Sequence, residues 1–359
     1  IKRELNSPYL AANAIDINTG KPYFEPYTII DKGGIRVAVI GMTNPNIPKW
    51  LSPHLWSGLK FQEMILSLDS LVNRVISEER AHIVIAVLHG GLGETDNYTP
   101  ENPSRFIAKN IKGIDFVFAS HDHNTTAEVV MNEEDSVWVL EGGARASYLS
   151  SGRVMISVKE VKVVKKDKIG DLISMKGWES DSEYISRFSE EVNDVKKFTN
   201  QFTGMLNNRI TTRDAYFGSS DYIDMIHTLQ LNASKADISF VAPLSLDVTV
   251  EKGSLTYQDL MNIYPYENQL YVIEMSGEEI KNYLEYSYSK WINKMEKQSD
   301  HLILLNITGN GERNRFKNIF FNFDSGAGLF YEVDATKDAG NKIKIISMAD
   351  GSEFKPNRK

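Results

Sequence analysis

Two short apolar runs, each stopping at a histidine, constrain this chain more than any other feature. Phe116-Val117-Phe118-Ala119 reads as a buried strand that stops at Ser120 and delivers His121-Asp122-His123-Asn124. Upstream, Ile83-Val84-Ile85-Ala86-Val87-Leu88 reads as a second buried strand, ending in His89-Gly90-Gly91. Unbroken apolar runs of this length fit strands buried on both faces. In an extended tip, His121 and His123 can both reach one small site. A single histidine after a strand is commonly a cap or a surface residue. Two such strand ends, one with His-x-His and one followed by two glycines, point instead to a metal site at the carboxyl ends of a sheet.

The surrounding pattern supplies the layers. Tyr27 to Asp31 and Ile35 to Gly41 read as a hairpin around Lys32-Gly33-Gly34, with Tyr9 to Asn13 as a short strand before it. Phe61, Ile65, Leu68, Val72, Val75 and Ile76 fall on one face of a helix over Phe61 to Glu79, which leads into the strand ending at His89. A second helix, Pro103 to Asn110, leads into the strand ending at His121. Strand, helix, strand, helix, strand is an α/β order. Val129 to Leu140 and Ser151 to Val164 read as closing strands, and basic Lys162 to Lys168 as a solvated turn. Ser182 to Phe202 reads as one charged helix with Tyr184, Phe188, Val192 and Val195 on a stripe, a connector between two domains.

The second block mixes elements in an α+β manner. Ser219 and Ser220 can cap a helix running to Leu231. Ile238 to Val241 is a strand, Leu255 to Ile263 a helix with Thr256 near its start, and Tyr264 to Asn268 a turn. Gln269 to Met275 reads as a strand, and Ser276-Gly277-Glu278-Glu279 starts a helix through Tyr288. Asn318 to Phe323, Leu329 to Val333 and Ile343 to Met348 read as closing strands.

Composition narrows the function classes. The length of 359 residues suggests two domains, and a net charge of −8 argues against a groove for a nucleic-acid polymer. A small nucleotide can still be held by a local site. With no cysteine there is no disulfide and no thiolate zinc site. No run is long and apolar enough to span a membrane. The first residue is Ile1 rather than methionine, so the chain is expected to be cut from a longer precursor.

Several pieces then align with a known family. Leu10-Ala11-Ala12-Asn13, Val39-Ile40-Gly41-Met42-Thr43, Val87-Leu88-His89-Gly90-Gly91 and Ser120-His121-Asp122-His123-Asn124 lie in the first block. There the chain resembles the calcineurin-like metallophosphoesterase domain of 5′-nucleotidases and 2′,3′-cyclic-nucleotide phosphodiesterases. Ala236 to Phe240, Gly253 to Thr256, Tyr264 to Leu270 and Met275 to Ile280 resemble that family's carboxyl-terminal substrate-binding domain. The resemblance implies an α/β metallophosphoesterase domain over 1–178, a connecting helix over 179–202 and a nucleotidase carboxyl-terminal domain over 203–359. It implies hydrolysis of nucleotide phosphoesters at two divalent metal ions, zinc, manganese or similar, in a periplasmic or secreted protein. His89 and His121 would bind one ion and His123 the other. Asp122, pointing away from its neighbours, would cap the loop or support a ligand. Tyr266 would be one ring of a nucleobase sandwich, Asn268 would bond the base edge, and Phe323 or Tyr331 would supply the second ring.

The departures are as informative. The family's first Asp-x-His, its bridging Asp and its Asn-His pair have no counterpart in these residues, so the leaving-group acid is expected upstream of residue 1 and this chain is expected to be incomplete and inactive. Ser120 stands where a glycine is usual. Ala242-Pro243-Leu244-Ser245-Leu246 replaces the Asn-Gly-Gly-x-Arg stretch of the 5′-nucleotidase branch, which favours the 2′,3′-cyclic phosphodiesterase/3′-nucleotidase branch. His227, in a helix, is expected to have a surface or packing role rather than to face the interdomain cleft. Two further readings stay open: a nucleoside- or phosphate-binding protein without catalysis, and an esterase of another phosphoester or a sulfur ester.

Overall fold

A computed structural model describes residues 7–133, 135–159, 162–306 and 315–357. Internal contacts divide the chain into two units, Ile1–Glu179 and Ser180–Lys359. The expected α/β order, with an α+β second block, is borne out.

The first unit is built on a six-stranded sheet. Its strands are β1 (Tyr27–Lys32), β2 (Ile35–Met42), β3 (Ile83–Leu88), β4 (Phe116–Phe118), β5 (Thr125–Met131) and β6 (Ser136–Gly142), in the order β1-β2-β3-β4-β6-β5. β2, β3, β4 and β6 run parallel, and β1 and β5 close the edges antiparallel. Pairing of Met42 with Leu88 and of Val87 with Phe118 sets the carboxyl ends of β2, β3 and β4 side by side. Helices α1 (Met64–Ser77) and α2 (Ser104–Asn110) cover one face, burying Met64, Leu68, Val72, Val75, Ile107 and Ala108 against Ala38, Ile40, Val84, Ala86, Val117 and Val139. The α1 helix starts three residues later than its apolar stripe suggests, because Phe61 belongs to a short strand, Leu59–Phe61, paired with Ala14–Asp16. Tyr9 to Asn13 is not a strand; only Leu10 makes an isolated bridge, to Glu25. Asn13, fully buried, donates to Thr43 O (2.7 Å) and Gln62 O (2.9 Å), accepts from Thr43 N–H (2.9 Å), and so pins the loop after β2.

The other face carries a long hairpin, β7 (Tyr148–Lys159) with β8 (Lys162–Ser174). It lies close: a Cβ on Gly170 would stand 2.4 Å from the Trp138 ring. Lys162 to Lys168 is thus strand, not a solvated turn. The reason is a buried carboxylate. Asp115, 1% exposed, accepts from Val84 N–H (2.9 Å) and pairs with Lys166 Nζ (2.9 Å) and Lys168 Nζ (3.4 Å). Lys168 also pairs with Asp135 at 2.7 Å.

In the second unit the expected single helix over 182–202 is two, α3 (Ser182–Arg187) and α4 (Ser189–Thr199), broken at Phe188. Neither buries a residue, so no core contact holds the stripe in one rod. Ser220 caps α5 (Asp221–Ser234), whose partner strand is β9 (Ser239–Val241). Capping boxes Thr256/Asp259 and Ser276/Glu279 start α6 (Tyr257–Ile263), two residues later than read because Leu255 belongs to a short strand, and α7 (Gly277–Trp291), where the sequence indicates. β10 (Ser325–Ala327) pairs with β9, and β11 (Leu329–Val333) with β12 (Ile343–Met348). Two expected strands fail. Residues 269–275 join no ladder among the described residues, and Leu270, Tyr271, Val272 and Ile273 are exposed. Residues 318–323 form instead a turn of 3₁₀ helix, Phe320–Asn322.

Candidate functional site

The loops at the carboxyl ends of β2, β3 and β4 hold the site in the first unit. His89 follows β3 directly, and its N–H donates to Met42 O (3.0 Å). Its Nδ1 lies 3.3 Å from Ser120 Oγ. The Ser120 hydroxyl donates to Leu88 O (3.1 Å), so its oxygen accepts from His89 Nδ1–H and leaves Nε2 as the free lone pair. Ser120 also donates its backbone N–H to Gly90 O (3.2 Å). Serine therefore suits this turn, and the left-handed backbone falls on His121 (φ 100°) and His123 (φ 59°). Burial first, then the charges of His121 and His123, hold His89 below the usual histidine range. It is a neutral imidazole near pH 7.

The His121 ring meets His89 edge to face, with centroids 5.2 Å apart. Its Nε2 lies 3.0 Å from Glu101 Oε1, and the Trp50 indole stacks on it at 5.0 Å and 18°. His123 is exposed. Among the described residues no three histidine, aspartate or glutamate side chains are gathered as a metal ligand set. The residues fit a divalent ion in part: two imidazoles converge, one with its free nitrogen defined, and a third donor is not assembled with them.

Asp122 ties the two histidine loops together. Its Oδ2 accepts Leu92 N–H (2.9 Å) and its Oδ1 accepts Asn124 N–H (3.4 Å). Gly91 makes this approach possible, since a Cβ there would lie 2.3 Å from Asn102 Oδ1 and 2.6 Å from Asp122 Oδ2. Beneath lies Glu141, 1% exposed. Its carboxyl faces the Asp122 carboxylate and the backbone of His123 and Asn124. Burial, then the bond to Asp122 and its charge, push Glu141 up to about 8. Burial works against the Asp122 charge, but the bonds from Glu141, Leu92 and Asn124 outweigh it and hold Asp122 below its ordinary value.

The second unit separates the remaining candidates. Tyr266 is 47% exposed, and the ring brought to it is Phe321, 43% exposed, at 6.4 Å and 67°. Asn268, also exposed, donates to Tyr264 Oη (3.1 Å). Phe323 is corrected from base-holding ring to core residue: it is 0% exposed and stacked on Trp291 at 5.6 Å. Tyr331 is largely committed as well, with its hydroxyl 2.8 Å from Tyr288 Oη and accepting Gly326 N–H at 3.1 Å. Of the two roles left open for His227, surface or packing, the structure shows packing. It is 3% exposed, between Ser239 Oγ (2.9 Å) and Ser325 Oγ (3.0 Å).

Sequence reasoning missed Trp50, Glu101, Glu141 and Phe321. Only Glu141 left a signal, an acid closing the apolar run Val137 to Leu140.

Comparison with known proteins bears out the resemblance. Residues 196–359 match the family model of the 5′-nucleotidase C-terminal domain. The trifunctional nucleotide phosphoesterase YfkN of Bacillus subtilis is 27% identical over 74% of this chain and 18% of its own. A 2′,3′-cyclic-nucleotide 2′-phosphodiesterase/3′-nucleotidase of Yersinia enterocolitica is 24% identical over 96% of this chain and 59% of its own. A solved Staphylococcus aureus structure, provisionally described as a 5′-nucleotidase, shares the fold with a TM-score of 0.77 and 20% identity over 99% of this chain and 68% of that one. The chain thus spans less than two thirds of the length of these curated relatives.

Proposed function

We propose that the protein is a metal-dependent nucleotide phosphoesterase, because residues 196–359 match the family model of the 5′-nucleotidase C-terminal domain and the α/β unit that precedes them in sequence carries two histidine-bearing strand ends. Its substrates are 2′,3′-cyclic nucleotides and nucleoside 3′- or 5′-monophosphates, with the first two favoured by the Ala242-Pro243-Leu244-Ser245 stretch. The observation that carries this reading is the meeting of His89 and His121, 5.2 Å apart, from separate strand ends.

In this reading His89 and His121 hold one divalent ion, zinc, manganese or similar, and His123 belongs to a second. Ions held there would polarise the phosphoryl oxygens and offset the charge that builds in the transition state. The chain's own residues orient the ligands: Ser120 fixes the His89 tautomer, and Asp122 with Gly91 holds the two loops in register. In the second unit Tyr266 takes a base face and Asn268 a base edge. The 359 residues contain no Asp-x-His and no Asn-His pair, so bridging of the ions and protonation of the leaving group are assigned to no residue here. On its own the chain is expected to hold metal weakly and release no phosphate. A periplasmic or secreted location fits the absence of cysteine, and no helix among the described residues is long and apolar enough to cross a membrane.

The test is phosphate release from 2′,3′-cyclic AMP (with a monoesterase added), 3′-AMP and 5′-AMP with manganese or zinc, for the full-length gene product and for this chain. Activity of the full-length protein that His89→Ala removes is expected. No release from any nucleotide would defeat the proposal and favour a binding protein without catalysis.

A further inference from the structure

His121 sits where an L-residue seldom sits. Its φ of 100° lies beyond the small left-handed region open to non-glycine residues, so the conformation persists only if its surroundings over-determine it. Those surroundings are specific. The Trp50 indole covers one face of the imidazole at 5.0 Å, nearly parallel, and Glu101 Oε1 takes Nε2 at 3.0 Å.

Trp50 is 43% exposed, in the short helix Ile47–Trp50 that buries none of its residues. It is not a core residue, and its ring contact is with His121. Glu101 is anchored from behind. Its carbonyl accepts Gly91 N–H at 3.1 Å and Asn44 Nδ2–H at 3.0 Å, and Asn44 is fully buried. The loop after β2 and the loop after His89 thus hold the backbone whose side chain reaches His121.

We propose that Trp50 and Glu101 are positioning residues that fix the His121 ring as its Nε2–H tautomer and leave Nδ1 as the metal-binding atom. The proposal rests on the metal-site reading given above. A carboxylate accepting Nε2–H removes the choice of tautomer and makes the other nitrogen a better donor. The stacked indole restricts rotation of the ring. His89 offers the opposite nitrogen, Nε2, so the two rings present unlike atoms.

The experiment uses this chain labelled with ¹⁵N-histidine, first without metal and then titrated with Zn²⁺. His121→Ala assigns the resonance, and the variants are Glu101→Gln, Glu101→Ala, Trp50→Phe and Trp50→Ala. Without metal, His121 should show a protonated Nε2 and an unprotonated Nδ1, with carbon-bound protons shifted upfield by the indole. Zinc should move the Nδ1 resonance. Glu101→Ala should mix the tautomers and weaken zinc binding by roughly 10-fold or more, as loss of such a support does elsewhere. Trp50→Ala should remove the upfield shift and weaken zinc binding, and Trp50→Phe should keep both near wild type. Glu101→Gln, which retains an acceptor oxygen, should keep the tautomer. A His121 protonated on Nδ1, or Glu101→Ala and Trp50→Ala variants with wild-type tautomer and affinity, would overturn the proposal. If His121→Ala binds zinc as tightly as wild type, the metal-site reading fails instead, and the positioning claim is decided by the metal-free tautomer alone.

Discussion

Acidification should reach the second unit through His227. The ring is buried between two neutral hydroxyls and near no carboxylate strong enough to offset burial, which pushes its pKa down to about 4. Counting donors sets the tautomer. Ser239 gives its hydroxyl proton to Gln230 Oε1 (2.6 Å), so it accepts from His227 Nδ1–H, and Nε2 accepts from Ser325. A proton on Nε2 would face the Ser325 proton unless that hydroxyl swings to Val241 O, 3.3 Å away. In the unfolded chain the same histidine titrates near 6.5. A base whose folded pKa is depressed contributes its full stability above the unfolded value. That stability is lost as pH falls from 6.5 through 4, because only the unfolded state takes the proton. The shift of about 2.5 units is worth about 3.4 kcal/mol at its limit, and about 2 kcal/mol between pH 7.5 and pH 5. Urea unfolding of the whole chain, read by the buried Trp291 signal and compared with His227→Gln, checks this. The stability gap between the two should narrow by about 2 kcal/mol from pH 7.5 to pH 5. A gap independent of pH, or a His227 NMR titration midpoint near 6.5, would refute the reasoning.

Other outcomes follow from contacts already described. Asp115→Ala leaves the almost fully buried Lys168 with a single carboxylate and strips Val84 N–H of its acceptor; urea unfolding should show a loss of about 3–5 kcal/mol. Leu68→Ala, at a fully buried position on α1, should cost about 2–5 kcal/mol in the same assay. Gly91→Ala forces Asn102 and Asp122 apart; it should destabilise by about 1–3 kcal/mol and shift the His89 and His121 resonances together. Tyr266→Ala should weaken adenosine binding, measured by calorimetry, by about 1–3 kcal/mol, whereas Phe323→Leu should act on stability rather than directly on the ligand.

How much was legible follows from which forces are local. Ile83–Leu88 and Ile343–Met348 match their expected strands residue for residue, because unbroken or β-branched apolar runs bounded by polar residues leave little choice. Ser220 caps its helix and Ser276 starts one as read, since capping depends on a span of four residues, while Thr256, read as lying inside a helix from Leu255, caps one that begins at Tyr257. What failed was set by distant partners. Lys162 to Lys168 looked solvated because the Asp115 that draws Lys166 and Lys168 inward is about fifty residues away. Residues 269–275 have the composition of a strand, yet they join no ladder among the described residues, and pairing is not set by composition. Phe320, Phe321 and Phe323 carry identical side chains with different fates; a 3₁₀ turn sends Phe323 into the core and leaves Phe321 at the surface. In the candidate site the histidines announced themselves by their place at strand ends. Trp50 and Glu101 sit in irregular loops where no periodicity marks them, and only the folded chain brings them to His121.

The central claim is that His89 and His121 share one divalent ion. Anomalous diffraction from crystals of the full-length protein, grown with zinc, tests it most directly. A zinc peak is expected about 2.0–2.1 Å from one nitrogen of each ring, His89 Nε2 and His121 Nδ1. A zinc peak elsewhere, with neither imidazole coordinated in crystals whose metal sites are filled, would contradict it.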